Sequence, residues 1–231
     1  LKVASVIGRY FRTAVLFGVH PLEQARGEIP VQVTEMRERD IVLPEPAAGV
    51  EAYLFRHIVL QEVAYESLPF AFRSVIHKAI GMHLERVAGD NPGPWIELLA
   101  YHFDRSPRDD KKRQYLLAAG DAARAAYALP AAMSYYERAL PLFQDGARAD
   151  VLYRFGEVLE LAGKWDAAFT RYREARELAE KSSSPGLAAK IAGLMGDLYR
   201  RKGDFKEAKF WLDLARNENA ALGNESGVAL M

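Results

Sequence analysis

Cysteine is absent from the 231 residues, which excludes a disulfide framework and a thiolate zinc site. Excess charge is absent as well, since 31 basic side chains balance 31 acidic ones. A chain of this balance is not a generally basic nucleic-acid binder, although a local patch fits inside a neutral total. No apolar run approaches the roughly 18 residues that a membrane span needs. The phosphate-cradling GxxxxGK[ST] and zinc-binding HExxH patterns are both missing. Asp40 and Asp104 are isolated carboxylates, without the paired arrangement that holds a catalytic metal. Together these absences read as no catalytic residue, no metal site and no cofactor within the chain. The sequence opens on Leu1 with a helical pattern and no secretory leader, so the expectation is a cytoplasmic segment of a longer protein.

What remains is dense in helix signals. Residues 1–8, 13–18 and 29–39 read as three short helices, punctuated by Gly8, Gly18, Pro21 and Gly27. Residues 40–43 and 52–56 read as two strands across a Pro/Gly-rich turn, the first stopped by Pro44 and Pro46. Three small helices and one short β-hairpin make the layout of a winged helix. Its recognition helix would be 29–39, where Glu28, Glu35 and Glu38 stand against Arg37 and Arg39. DNA affinity rests on phosphate contacts and positive charge, so DNA contact is the lesser alternative. From residue 57 a further helix puts Leu60, Val63, Ala64 and Ser67 on one stripe. Pro69 restarts a longer helix in which Phe72, Ile76, Ile80 and Leu84 recur every fourth position, leaving His77 and His83 off the buried stripe. Residues 95–105 form one more. His57 is expected to bond between strand and helix, and His102 to sit at a helix–helix contact.

The second half is organised by glycines. Gly120, Gly156 and Gly196 each lie mid-helix, where glycine costs about 1 kcal/mol relative to alanine. Each is followed at a fixed interval by an alanine (Ala132, Ala168, Ala208), a large residue (Tyr136, Tyr172, Leu212) and a second alanine (Ala139, Ala175, Ala215). Gly163 and Gly203 share a turn position, where the first unit has Tyr127. Asp204 to Glu207 has the form of a capping box, Ser184 stands as an N-cap before Pro185, and Pro130 opens a helix. Small residues at close crossings with large ones between them resemble the tetratricopeptide repeat. The glycines are 36 and 40 residues apart, so the helices are longer than in regular arrays.

The expected architecture is therefore mostly α: a tetratricopeptide-like α-α superhelix preceded by a small winged-helix-like module. Residues 1–68 form that module, 69–111 a linking or capping helical pair, and 112–231 the repeats, the last one truncated at a helix fragment over 226–231. Such arrays present their first helices on a concave face. Here that face would carry Tyr153, Arg154, Glu157, Lys190, Asp197, Arg200 and Arg201 outward, towards a protein or peptide partner or a small effector. Arg171, Arg173 and Arg176, alternating with Glu174 and Glu177, read as a salt-laced exterior.

A wider likeness rests on LKVASVIGRYF at residues 1–11, RDIV at 39–42, and YLFRH at 53–57 running into QEVAYESL at 61–68. These stretches resemble the middle of large bacterial signalling ATPases of the AAA/STAND type, either adenylate/guanylate cyclase-like or transcriptional-regulator-like. The resemblance implies a nucleotide-switch domain, a winged-helix segment and tetratricopeptide repeats in succession. ATP and any cyclase activity would then belong to the parent and not to this segment. It further implies that the winged helix relays the switch to the repeats.

Overall fold

The computed structural model describes residues 1–47 and 50–224. The chain divides into two compact units, Leu1–Tyr115 and Leu116–Met231.

The first unit begins with α1 (Lys2–Ile7), β1 (Tyr10–Arg12), α2 (Thr13–Val19), a 3-10 turn and α3 (Ile29–Glu38). It continues through β2 (Val42–Ala47), β3 (Val50–Phe55), α4 (Ile58–Glu66), α5 (Phe70–Ala88) and α6 (Ile96–Asp104) into α7 (Asp109–Ala125). The strands form one antiparallel sheet in the order β1-β3-β2, with Phe11 opposite Tyr53 and Val42 opposite Phe55. The expected hairpin is present and gains a third strand. β1 is only three residues long and has no periodicity to announce it; pairing with β3 creates it. Phe11 and Phe55 are fully buried with their ring centroids 5.7 Å apart. β2 runs through Pro44 and Pro46 instead of stopping there. An edge strand tolerates proline because the missing N–H can be one that would have faced away from the ladder.

Two helix faces differ from the expected stripes. In α4, Leu60 and Val63 are exposed, whereas Ala64 and the following Leu68 are buried and Gln61 donates to the Ser5 carbonyl at 2.7 Å. The buried face is thus shifted by one residue. In α5, Ile76, Ile80 and Leu84 are buried as expected, but Phe72 and Val87 are exposed. His77 lies inside, not off the stripe, at 1% exposure. Its cost of burial is offset by hydrogen bonds on both ring nitrogens, Nε2 with the Tyr65 hydroxyl at 3.1 Å and Nδ1 with Nδ1 of His102 at 2.9 Å. His57 caps α4 without a side-chain bond and is exposed, so it bridges nothing.

The second unit is a tetratricopeptide-like stack. The end of α7 is followed by α8 (Leu129–Ala139), α9 (Asp145–Leu161), α10 (Trp165–Lys181), α11 (Pro185–Lys202) and α12 (Phe205–Ala221). α9 packs on α10 and α11 on α12, with α8 against α9 and α10 against α11 linking successive pairs. Tyr136, Leu152, Tyr172, Ile191 and Leu198 are fully buried in one continuous core. α9 begins at Asp145, eleven residues ahead of the repeat glycine Gly156.

The turns of the pairs share one backbone solution. Tyr127, Gly163 and Gly203 all adopt positive φ, at 56°, 71° and 81°. Glycine enters this region freely, whereas a side chain there costs about 1–2 kcal/mol. Tyr127 is 77% exposed, so little packing holds it. Tyr127→Gly is therefore expected to stabilise the second unit by about 0.5–1 kcal/mol, the relief being partly cancelled by the greater freedom of glycine in the unfolded chain. A urea midpoint unchanged or lowered by this substitution would count against strain at the turn. Asp204 accepts the Glu207 amide at 3.2 Å and caps α12, but Ser184 makes no side-chain cap bond. The fragment expected at 226–231 lies outside the described residues.

Candidate interaction surface

The repeat positions meet in pairs. A Cβ placed on Gly120 would lie 2.9 Å from the Tyr136 ring, one on Gly156 2.6 Å from Cδ1 of Tyr172, and one on Gly196 2.7 Å from Cγ of Leu212. The alanines Ala132, Ala139, Ala168, Ala175, Ala208 and Ala215 are all buried. Glycine thus opens each first helix to the large residue of its own second helix.

This close approach places the phenol of each tyrosine at a carboxylate on the first helices. Tyr136 donates to Asp121 at 2.7 Å, and Tyr172 to Glu160 at 2.9 Å. Arginines from neighbouring repeats occupy the other carboxylate oxygens. Arg154 donates to Asp121 at 2.6 Å and to Asp150 at 2.8 Å, and Arg201 to Glu160 at 2.8 Å. Glu157 accepts from Tyr153 at 2.6 Å and from Arg124 at 2.7 Å. The result is a ladder of alternating charge along α7, α9 and α11. Burial, then hydrogen bonding to an acidic neighbour, raises the phenols of Tyr136 and Tyr153 well above their usual range. Tyr172 is raised more, by burial and then the charge of Glu160.

The seven residues expected to face outward fall into two groups. Tyr153 does not face outward: it is 6% exposed, its hydroxyl is used by Glu157, and Lys190 Nζ stands 4.5 Å from its ring centroid. Arg154 and Glu157 are half-buried rungs of the ladder. Lys190, Asp197, Arg200 and Arg201 lie nearer solvent, and Arg200 pairs with Asp197 at 2.8 Å within its own helix. Asp121 and Arg124 complete the ladder and were not among the sequence candidates. A signal for them exists, because the residue after each repeat glycine is acidic: Asp121, Glu157 and Asp197.

The expected exterior of α10 needs one correction. Arg171 does pair with Glu174, at 3.2 Å, but Arg176 is 8% exposed. It donates to the Ala188 carbonyl of α11 and to both oxygens of Glu218 of α12, at 3.0 and 2.6 Å, and its guanidinium lies 5.6 Å from the Trp211 ring centroid. It joins three helices, and the bidentate pairing explains why a charge is tolerated inside.

Asp121, Glu157 and Glu160 each already accept two donors, and the phenols of Tyr136, Tyr153 and Tyr172 are kept protonated. Among the described residues, no group of three or more His, Asp or Glu side chains is placed to hold a metal ion. No helix among them is long and apolar enough to cross a membrane.

Residues 147–217, which span most of α9 to α12, match the model of the tetratricopeptide repeat family. The α7–α8 pair lies outside that match. No curated protein matches the chain. Among solved structures it is similar to the crystal structure of BtubC (BKLC) from P. vanneervenii, at 16% identity and a TM-score of 0.46 over 91% of this chain and 90% of that one. A likeness of that size carries no inference about function.

Proposed function

We propose that this chain is a non-catalytic regulatory segment of a larger signalling protein, and that its repeats bind a protein or peptide partner on the face formed by α7, α9 and α11. The observation that carries this reading is the ladder. Arginine and carboxylate side chains of the alternate helices α7, α9 and α11, with tyrosines of α8, α9 and α10, are held in fixed geometry, and a preorganised surface binds with little loss of side-chain freedom. Lys190, Arg200 and Arg201 are the exposed groups on it, Asp197 is half-buried beside them, and Tyr153, Arg154 and Glu157 hold it in register. Arg200, Arg201 and Lys202 form a basic run at the end of α11 that suits an acidic peptide, which would compete with their present partners Asp197, Glu160 and Asp166.

The upstream partner of the relay follows from the resemblance of residues 53–68. A nucleotide-switch ATPase of the AAA/STAND type, with or without a class III cyclase, would act on residues 1–68, pass through 69–111 and change the availability of 112–231. A coding sequence without GxxxxGK[ST] upstream would remove the ATPase from this scheme.

Panning a random peptide display library against the whole chain tests the binding face. Enriched peptides are expected to be acidic and to bind the variant Lys190→Glu/Arg200→Glu at least about tenfold more weakly, with thermal stability changed by no more than about 0.5 kcal/mol. Equal affinity for both proteins would move the site off this face.

A further inference from the structure

We infer that the N-terminal unit contains a binding site for a small amphipathic acid, a molecule with an aliphatic or aryl body and a carboxylate head. A cavity of about 670 Å³ lies between the α1–β1–α2 segment and the helices α5 and α6. Small-ligand sites are typically of about this size, mostly apolar, with a few convergent polar groups. The walls here are apolar, with Ile80, Leu84 and Leu98 contributing hydrocarbon. The ionisable side chains are Tyr10, Arg12, His83 and His102, and no carboxylate is among the lining residues. An anionic head is the complement of that lining, and the hydrocarbon walls require the rest of the ligand to be apolar.

His102 makes this a built site and not a packing defect. It is 1% exposed, and its Nδ1 is committed to His77 at 2.9 Å. When Tyr65 donates its hydroxyl proton to Nε2 of His77, His77 donates from Nδ1 to His102. His102, a lining residue of the cavity, then carries its own proton on Nε2, the ring nitrogen not bonded to His77. In that arrangement the chain Tyr65–His77–His102 makes the buried imidazole a donor. Arg12 is exposed and supplies the charge at the mouth.

Isothermal calorimetry with the whole chain tests this, using decanoate and 4-phenylbutyrate below any micelle threshold, with decanol as the uncharged control. At least one acid is expected to bind saturably at one site per chain. Arg12→Gln should weaken that acid by about tenfold while leaving decanol unchanged. Ala14→Trp places bulk on an exposed lining position and should weaken acid and alcohol alike. Both substitutions are at exposed positions, and circular dichroism melting verifies that each variant is folded. Failure of both acids to give saturable heat overturns the inference, as does binding that neither variant diminishes.

Discussion

Lowering the pH from 7 to 5 should remove about 3–4 kcal/mol from the stability of the N-terminal unit, through His77 and His102. Burial, followed by the charges of Arg105 and Arg73, pushes His77 from its ordinary 6.5 down to about 4. Burial, then the charge of His77, then Arg105, pushes His102 down to about 3. Both folded values lie below the unfolded one, so the unfolded chain binds protons first as pH falls. The stabilisation is complete above pH 6.5 and declines through the window from 6.5 towards 4 and 3. Each histidine loses about 1.4 kcal/mol per pH unit in that window, hence about 2 kcal/mol each by pH 5. His83 is lowered in the same sense, by burial and then Arg86. Urea midpoints at pH 7, 6 and 5 measure the trend. His102→Gln keeps a donor and an acceptor for His77 and removes one titration, so about half of the decline should vanish. Imidazolium signals from both residues in the folded protein at pH 5.5, or a midpoint flat between pH 7 and 5, would defeat this account.

The pattern of what could be read from residue spacing follows the range of the interactions involved. The glycine–alanine register at Gly156, Ala168 and Tyr172 was legible because each repeat encodes its own helix pair. The close approach requires a small residue at one fixed position and a large one at another. The turn at Gly163 and Gly203 was legible for the same reason. β1 was not, since three residues of strand exist only through pairing with β3, some forty positions away. The inward placement of His77 and Arg176 was hidden for a related cause. A polar side chain goes inside when its partners are there to meet it, and those partners, His102 for one and Glu218 for the other, are on other helices. The candidate face shows both cases at once. Its helices were readable, but Tyr153 was expected to face outward and is buried. The orientation of Tyr153 and Arg154 was not readable: Asp121 and Glu157 decide it, and although an acidic residue after each repeat glycine marks where these carboxylates stand, spacing does not say which phenol or guanidinium meets them.

Gly156→Val is expected to be the most damaging single substitution in the repeats, lowering the stability of the second unit by about 3–5 kcal/mol. The first added carbon alone would stand 2.6 Å from Cδ1 of Tyr172 and nearer still to Cε1. Neither partner can yield cheaply. Tyr172 is fully buried, and its hydroxyl is anchored to Glu160 at 2.9 Å. α9 is held in turn by Arg154 and Glu157 on the ladder. Relief therefore requires α9 and α10 to separate, which opens the core around Leu152 and Ile191. Gly156→Ala should cost less, about 1–2 kcal/mol, because the better helix propensity of alanine returns up to about 1 kcal/mol against the overpacking. Gly186→Ala is the matching control. It lies in the first turn of α11 with no atom within 4 Å of a new Cβ, so it should be neutral or stabilising by at most about 1 kcal/mol. A double-mutant cycle with Tyr172→Ala isolates the contact. Trimming the ring should absorb about 2 kcal/mol of the valine penalty, so the double variant is more stable than the two single losses added together. Strict additivity would show that the glycine is required for some reason other than the approach of Tyr172.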